Sequence, residues 1–368
     1  MKQLLFPNNI QFWYETLRSM SHIAYGGADF GEVVSTAERI VEGDYASWYT
    51  EWLATADRVS GQAEKALAAG HRVSARDGFL RASNYYRSAE FFLHGHPCDP
   101  RHDHAYDRSV DCFRSAAALF SPIIEPVEIP YEGTTLPGYL YRVDDSGTPR
   151  PTLIMHNGFD GTAEELHFFG AMAGVERGYT VLVFDGPGMP GPRHHEGLVF
   201  RPDWENVVTP VVDFAEKLPD VDNSRIALVG ISMGGVLAPR AAAFEHRLAA
   251  LVAVDGLYDL GETRCATSPA PGRRPSGSCA RPPPRNSTRP SKRSWPRTRS
   301  PAGRSTTACT SWASTHPGPS TPPTSTTPSP VASPNGSSAP PWSATPRTTC
   351  SSRASPSSST TTSPVPGP

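Results

Sequence analysis

The feature that most limits what this chain can fold into is an abrupt end to its core-forming residues: after Glu262 there is no Leu, Ile, Phe, Tyr or Met. Of those last 106 residues 24 are Ser, 18 Thr and 23 Pro, so there is too little apolar surface to offset the chain entropy of ordering them. Charge divides at the same point. Residues 1–262 carry 21 Lys and Arg against all 36 Asp and Glu, and residues 263–368 carry 13 basic residues and no acid. The formal net charge of −2 therefore describes neither part. The foldable protein is expected within residues 1–262, and residues 263–368 are expected not to form the native fold.

Three origins compete for the tail: a disordered Ser/Thr/Pro stalk, a basic nucleic-acid-binding tail, or an out-of-frame translation. Trp295, Trp312 and Trp342 with Cys265, Cys279, Cys309 and Cys350 are unusual in stalks and basic tails. Codon arithmetic separates the readings further. If one base was lost upstream, each Cys, Trp or TCN-coded Ser implies an original codon with T in the middle, which encodes Leu, Ile, Val, Phe or Met. Each Thr implies Asp, Asn, His or Tyr. The residue types missing from the tail are the ones this shift restores, and from Ser343 to Thr362 it permits a strand-like apolar run followed by acidic residues. The frameshift near Glu262 is the preferred reading, and a nucleic-acid tail the least favoured.

Only Cys98 and Cys112 lie in the foldable part, which is no disulfide framework. The segment from Met1 to Phe12 lacks a signal-peptide core, and no apolar run reaches the roughly 18 residues of a membrane helix. A cytoplasmic protein with no membrane partner is expected; a homo-oligomer stays open.

Residues 1–121 read as a helical domain. Tyr45, Trp48, Tyr49, Trp52, Leu53, Ala56 and Val59 recur at helical spacing between a capping Asp44 and Gly70. Phe79, Tyr86, Ala89 and Leu93 form a stripe over Ser74 to Leu93, and a third helix runs from His104 to Phe120. The aromatics Trp48, Trp52, Tyr85 and Tyr86 suit a core, and would also suit an aromatic ligand. From residue 122 to 262 the period changes. An alternating pair around Glu132-Gly133 is followed by apolar runs at Thr152 to His156, Thr180 to Phe184, Ile226 to Gly230 and Ala250 to Val254. Short apolar runs separated by helix-length segments predict an α/β architecture, a mostly parallel sheet covered by helices.

Gly230-Ile231-Ser232-Met233-Gly234-Gly235 follows one such run and precedes the helix-forming stretch Val236 to Phe244. This is the strand–turn–helix context of a nucleophile elbow, so Ser232 is the candidate nucleophile and the Met233 N–H one candidate oxyanion donor. His156-Asn157-Gly158-Phe159-Asp160-Gly161 ends an earlier strand; Gly158 would let the backbone approach the substrate and the Phe159 N–H would be the second donor. Phe184-Asp185-Gly186-Pro187-Gly188 reads as a turn shaping the site rim, with Asp185 structural. These signals sit at the C-terminal ends of strands, where open α/β sheets build their sites. His94, His96, Cys98, His102 and His104 fit no standard zinc spacing, so no metal and no cofactor is expected. His194 and His195 follow the Asp185 turn and could reach the site, but a surface loop is the preferred reading.

In the order of these three motifs the sequence resembles the α/β-hydrolase superfamily. The helical N-terminal domain makes it similar to the branch that includes dihydroxypseudooxynicotine hydrolase, the fungal polyketide chain-shortening hydrolases and the fermentation-respiration switch proteins. The resemblance spans about residues 5–262. It implies a small-molecule substrate, a site roofed by the helical domain, and a Ser-Asp-His triad with Ser232 first. Some members cleave a carbon–carbon bond next to a carbonyl and others cleave esters. After Glu262 there is no acid and the only histidine is His316, so neither triad partner is recognisable. In the shifted frame, the acidic group at Thr345 to Thr349 is where the family Asp would fall. The chain as written is therefore expected to be inactive and to fold poorly, with a bared sheet edge. The alternative is a non-catalytic hydrolase-like protein whose basic tail binds nucleic acid.

Overall fold

The computed structural model describes residues 3–94, 99–259 and 261. The tail expectations, His96, Cys98 and His316 lie outside the described residues.

Five helices come first: α1 (Ile10–Ser21), α2 (Phe30–Arg39), α3 (Tyr45–Ala68), α4 (Arg72–Glu90) and α5 (Pro100–Ala117). Asp44 caps α3 by accepting from the Ala46 and Ser47 N–H groups at 2.8 and 3.1 Å. Two boundaries differ from the sequence expectation. Helix α4 starts before Ser74 with no side-chain cap, and Phe91 to Leu93 tighten into a 3₁₀ turn. Helix α5 starts four residues before His104, because Asp99 caps it and Pro100 occupies the first turn, where a missing N–H costs nothing.

Six strands follow, β1 (Glu125–Tyr131), β2 (Thr134–Tyr141), β3 (Arg150–His156), β4 (Thr180–Phe184), β5 (Val221–Ile231) and β6 (Ala250–Val254). They form one mixed sheet in the order β1-β2-β4-β3-β5-β6. The β1–β2 and β2–β4 pairs are antiparallel, and β4–β3, β3–β5 and β5–β6 are parallel. The connections hold α6 (Met172–Glu176) between β3 and β4, α7 (Pro190–His195) and α8 (Glu205–Ala215) between β4 and β5, and α9 (Gly234–Ala242) between β5 and β6.

Alternation along the strands sends side chains to two separate cores. Val181 and Val183 join Tyr139, Tyr141 and Met155 in a core continuous with Trp48, Trp52, Tyr85 and Tyr86 of the helical segment. Leu182 and Phe184 face the other way, with Ile154, Leu228, Trp204 and the valines of α8. All four of those helical-segment aromatics are fully buried; Trp48, Trp52 and Tyr85 pack ring on ring with Phe6, Phe12 and Phe92 nearby, and the Tyr86 ring lies under the Arg108 guanidinium, so they are core. Strand β6 departs from the buried parallel strand its apolar run suggests: every residue in it is exposed. Among the described residues it pairs only with β5, so it is an edge.

Candidate functional site

Strand β5 ends at Ile231 and α9 begins at Gly234, which leaves Ser232 and Met233 to turn the chain. Ser232 adopts φ 61°, a left-handed conformation unfavourable for a residue with a Cβ. The turn is held by the Ser232 N–H donating to Val254 O at 3.0 Å and the Gly235 N–H donating to Ser232 O at 2.8 Å. Ser232 is exposed at the C-terminal end of the sheet. The flanking glycines are a matter of space. A Cβ on Gly230 would stand 2.1 Å from Gly234 O, and one on Gly234 would stand 2.6 Å from Asn157 O.

The loop after β3 crosses this turn at contact distance. A Cβ on Gly158 would lie 2.5 Å from the Met233 nitrogen and 2.9 Å from Ile231 O. Asn157 shapes the loop by donating from Nδ2 to Thr162 O at 2.7 Å. Phe159 is exposed, with its ring stacked on Phe200 at 6.0 Å. Among the described residues neither the Met233 N–H nor the Phe159 N–H donates to another group, and no side chain hydrogen-bonds to Ser232 Oγ. The structure thus brings Ser232, Met233, Gly158 and Phe159 to one end of the sheet and leaves two N–H groups unclaimed there.

His156 at the end of β3 is fully buried, and its Nδ1–H donates to Asn157 O at 2.8 Å. A carbonyl can only accept, so the neutral ring carries its proton on Nδ1. Burial pulls this imidazole down to about 4, the Asn157 bond opposing only weakly. Asp185, at the end of β4, is buried, and its N–H donates to Pro137 O at 2.9 Å. Burial, reinforced by Glu164, raises its carboxyl well above the ordinary range.

The helical segment reaches the site loop through charge. Arg18 of α1 contacts both Glu165 and Asp160, and Arg87 of α4 lies 3.5 Å from Glu165. Burial would raise the Glu165 carboxyl, but Arg18, Arg87 and His22 together hold it down at about 2. Sequence reasoning missed this network, since no spacing rule links residues 147 positions apart.

Helix α7, and not a surface loop, carries both His194 and His195. The His194 side chain is 14% exposed, and its ring stacks on His102 at 3.7 Å. His195 is half exposed beside Asp107, and His104 is exposed.

The sequence profile described as the alpha/beta hydrolase family matches residues 153–361. Hydrolase acrC of Aspergillus aculeatus is 42% identical over 274 residues, covering 69% of this chain and 63% of that protein. The 20-hydroxy-prefusarin hydrolase FUS2 of Gibberella moniliformis is 40% identical over 267 residues, covering 70% and 64%. The chain thus spans just under two thirds of the length of these relatives. The crystal structure of 2,6-dihydroxy-pseudo-oxynicotine hydrolase superposes with a TM-score of 0.59 at 29% identity, covering 68% of each chain. With its elbow turn, its mixed sheet and a family match over more than half its length, this chain belongs to the alpha/beta hydrolase family.

Proposed function

We propose that this is a serine hydrolase chain in which Ser232 Oγ attacks a substrate carbonyl. The N–H groups of Met233 and Phe159 receive the developing oxyanion, and Gly158 leaves room for the close approach. The observation that carries this reading is the left-handed, exposed Ser232 at a strand–turn–helix junction, with two unclaimed N–H groups beside it. The bond cleaved is an ester or a carbon–carbon bond next to a ketone in an aromatic or polyketide-like small molecule. The names of the relatives, a prefusarin hydrolase and a dihydroxy-pseudo-oxynicotine hydrolase, support that class.

A serine nucleophile needs a base to take its proton and an acid to orient that base. The family order places both after Ser232, yet no acid follows Glu262. The profile match reaches residue 361 without supplying one. The chain as written is therefore an inactive form whose reading frame shifts near Glu262, retaining at most residual catalysis of about a thousandfold over water. Sequencing the DNA across codons 262 and 263 tests the cause.

Labelling by a fluorophosphonate and hydrolysis of a p-nitrophenyl ester test the chemistry, on the chain as written, on a frame-restored version and on Ser232→Ala of each. The frame-restored enzyme should be labelled and active only with Ser232 present. Ser232-dependent turnover by the chain as written would refute its inactivity, and a frame-restored chain that resists labelling would refute the nucleophile. Salt-dependent DNA binding by the full chain would favour the basic-tail reading instead.

A further inference from the structure

We propose that Glu90, His94 and His102 form a binding site for one divalent first-row transition ion of the zinc class, placed in the helical segment. Glu90 ends α4, His94 follows one helical turn later, and His102 lies in the first turn of α5. The i, i+4 spacing puts the first two on one face, and the packing of α5 on α4 delivers the third. Sequence reasoning listed the histidines without Glu90, which is why no ligand pattern emerged.

The donor atoms converge. His94 Nε2 is 2.8 Å and His102 Nε2 is 3.1 Å from Glu90 Oε2. One ligand atom from each residue lies within 4.8 Å of the others. The Glu90 and His102 side chains are fully buried, and the Nε2 atom of His94 is buried as well.

Despite this proximity, Glu90 Oε1 and Oε2, His94 Nε2 and both His102 nitrogens lack a hydrogen bond of acceptable direction. Native structures rarely leave five buried polar atoms in one place without directional partners. His94 Nε2 and His102 Nε2 both approach the same oxygen, Glu90 Oε2, so that one donor atom from each of the three residues lies close to the other two, as around a shared ion. Tetrahedral zinc with bonds of about 2.0–2.2 Å sets neighbouring donors roughly 3.3 Å apart, so the 2.8 and 3.1 Å separations of the imidazoles from Glu90 Oε2 would each open by a few tenths of an ångström around an ion.

Two imidazoles and one carboxylate are a donor set for zinc with an open fourth position, filled by water. An outer layer is also present. His102 Nδ1 lies 3.6 Å from Asp103 Oδ1, which also takes His194 Nδ1 at 3.0 Å, and the His194 ring covers His102. A carboxylate facing the distal nitrogen of a ligating histidine is the usual device for orienting the ring. The ion would join the end of α4 to the start of α5 and, through His194, to α7.

The test is a Co²⁺ titration of the chelator-stripped full chain, with circular dichroism reporting its helices. One Co²⁺ per chain should give visible ligand-field bands without the thiolate charge-transfer band that tail cysteines would produce, and Zn²⁺ should displace it. Zn²⁺ should also raise the melting temperature of the unmutated chain. Glu90→Gln, His94→Asn and His102→Asn should each weaken binding by at least about tenfold, whereas the exposed His104→Ala and Ser232→Ala should leave it unchanged. A helical chain that takes up no Co²⁺ at millimolar concentration, shows no Zn²⁺-dependent melting shift, or keeps full affinity in Glu90→Gln and His102→Asn would overturn the site. If a ligand variant loses its helical signal, the stoichiometry, spectrum and melting shift of the unmutated chain decide the matter alone.

Discussion

Arg18 grips the buried Glu165 carboxylate with two parallel contacts, Nε to Oε1 at 2.7 Å and Nη2 to Oε2 at 2.6 Å, so that α1 is tied to the segment following β3. The Glu165 side chain is 1% exposed, and the same arginine reaches Asp160, the neighbour of Phe159. Removing one partner of such a pair strands a buried charge. Arg18→Ala should therefore lose about 3–5 kcal/mol in urea unfolding. Adding Glu165→Gln to it should recover part of that loss, because the stranded group is then neutral. A loss under about 1 kcal/mol in the single variant would mean that Arg87 and His22 suffice to hold Glu165.

Acid should weaken the fold in two stages. Burial lowers His22 and His156 to about 4 and His167 to about 3, so the unfolded chain, titrating near 6.5, binds these protons first. Their contribution is complete above pH 6.5 and is lost as the pH falls toward 4 and then 3, roughly a few kcal/mol for each ring. Glu165 adds a second stage. With its folded value near 2 against an ordinary 4.5, its contribution holds above pH 4.5 and disappears as the pH drops to 2. His156→Asn keeps an N–H for the Asn157 carbonyl but cannot be protonated, so its unfolding free energy should fall less steeply between pH 6.5 and 4. An unchanged slope would show that His156 takes up its proton as readily in the folded chain as in the unfolded one.

Glycine-to-alanine changes should differ in sign with location. Gly230→Ala and Gly158→Ala place a methyl 2.1 Å from Gly234 O and 2.5 Å from the Met233 nitrogen, both backbone atoms that cannot yield cheaply. Each should destabilise by about 1–3 kcal/mol or more, and Gly158→Ala should also slow fluorophosphonate labelling of the frame-restored chain. Gly61, inside α3, has open space around it, so Gly61→Ala should stabilise by up to about 1 kcal/mol. Urea melts of the three variants decide both signs.

Trp48 is fully buried, and its Nε1–H donates to Ser88 O at 2.7 Å. Trp48→Ala should cost about 3–5 kcal/mol. Because the ring has no free face, Trp48→Phe in the frame-restored enzyme should lower the melting temperature without altering KM. A raised KM with unchanged stability would return this aromatic cluster to the binding site.

Much of the frame could be read from local pattern. Asp44 and the aromatic period after it mark α3 because a cap and a 3.6-residue repeat involve only near neighbours. Gly230 to Gly235 marks the elbow because the crossing is built by consecutive residues. The apolar period of α5 begins inside the helix, so it marks the start too late, whereas the Asp99-Pro100 pair marks the true start.

What sequence alone determined is the family architecture, the position of Ser232 on its turn, and the limit that no acid follows Glu262. These depend on residue type and short spacing. Tertiary structure alone decided that Gly158 lies against Met233, that Arg18 finds Glu165, that Trp48 is core, and that His194 packs on His102 beside Glu90. The physical reason is that each of these contacts arises where separately formed elements dock. Burial strengthens or penalises a charge only after the docking has removed water, and no periodicity in the chain records which partner will be there.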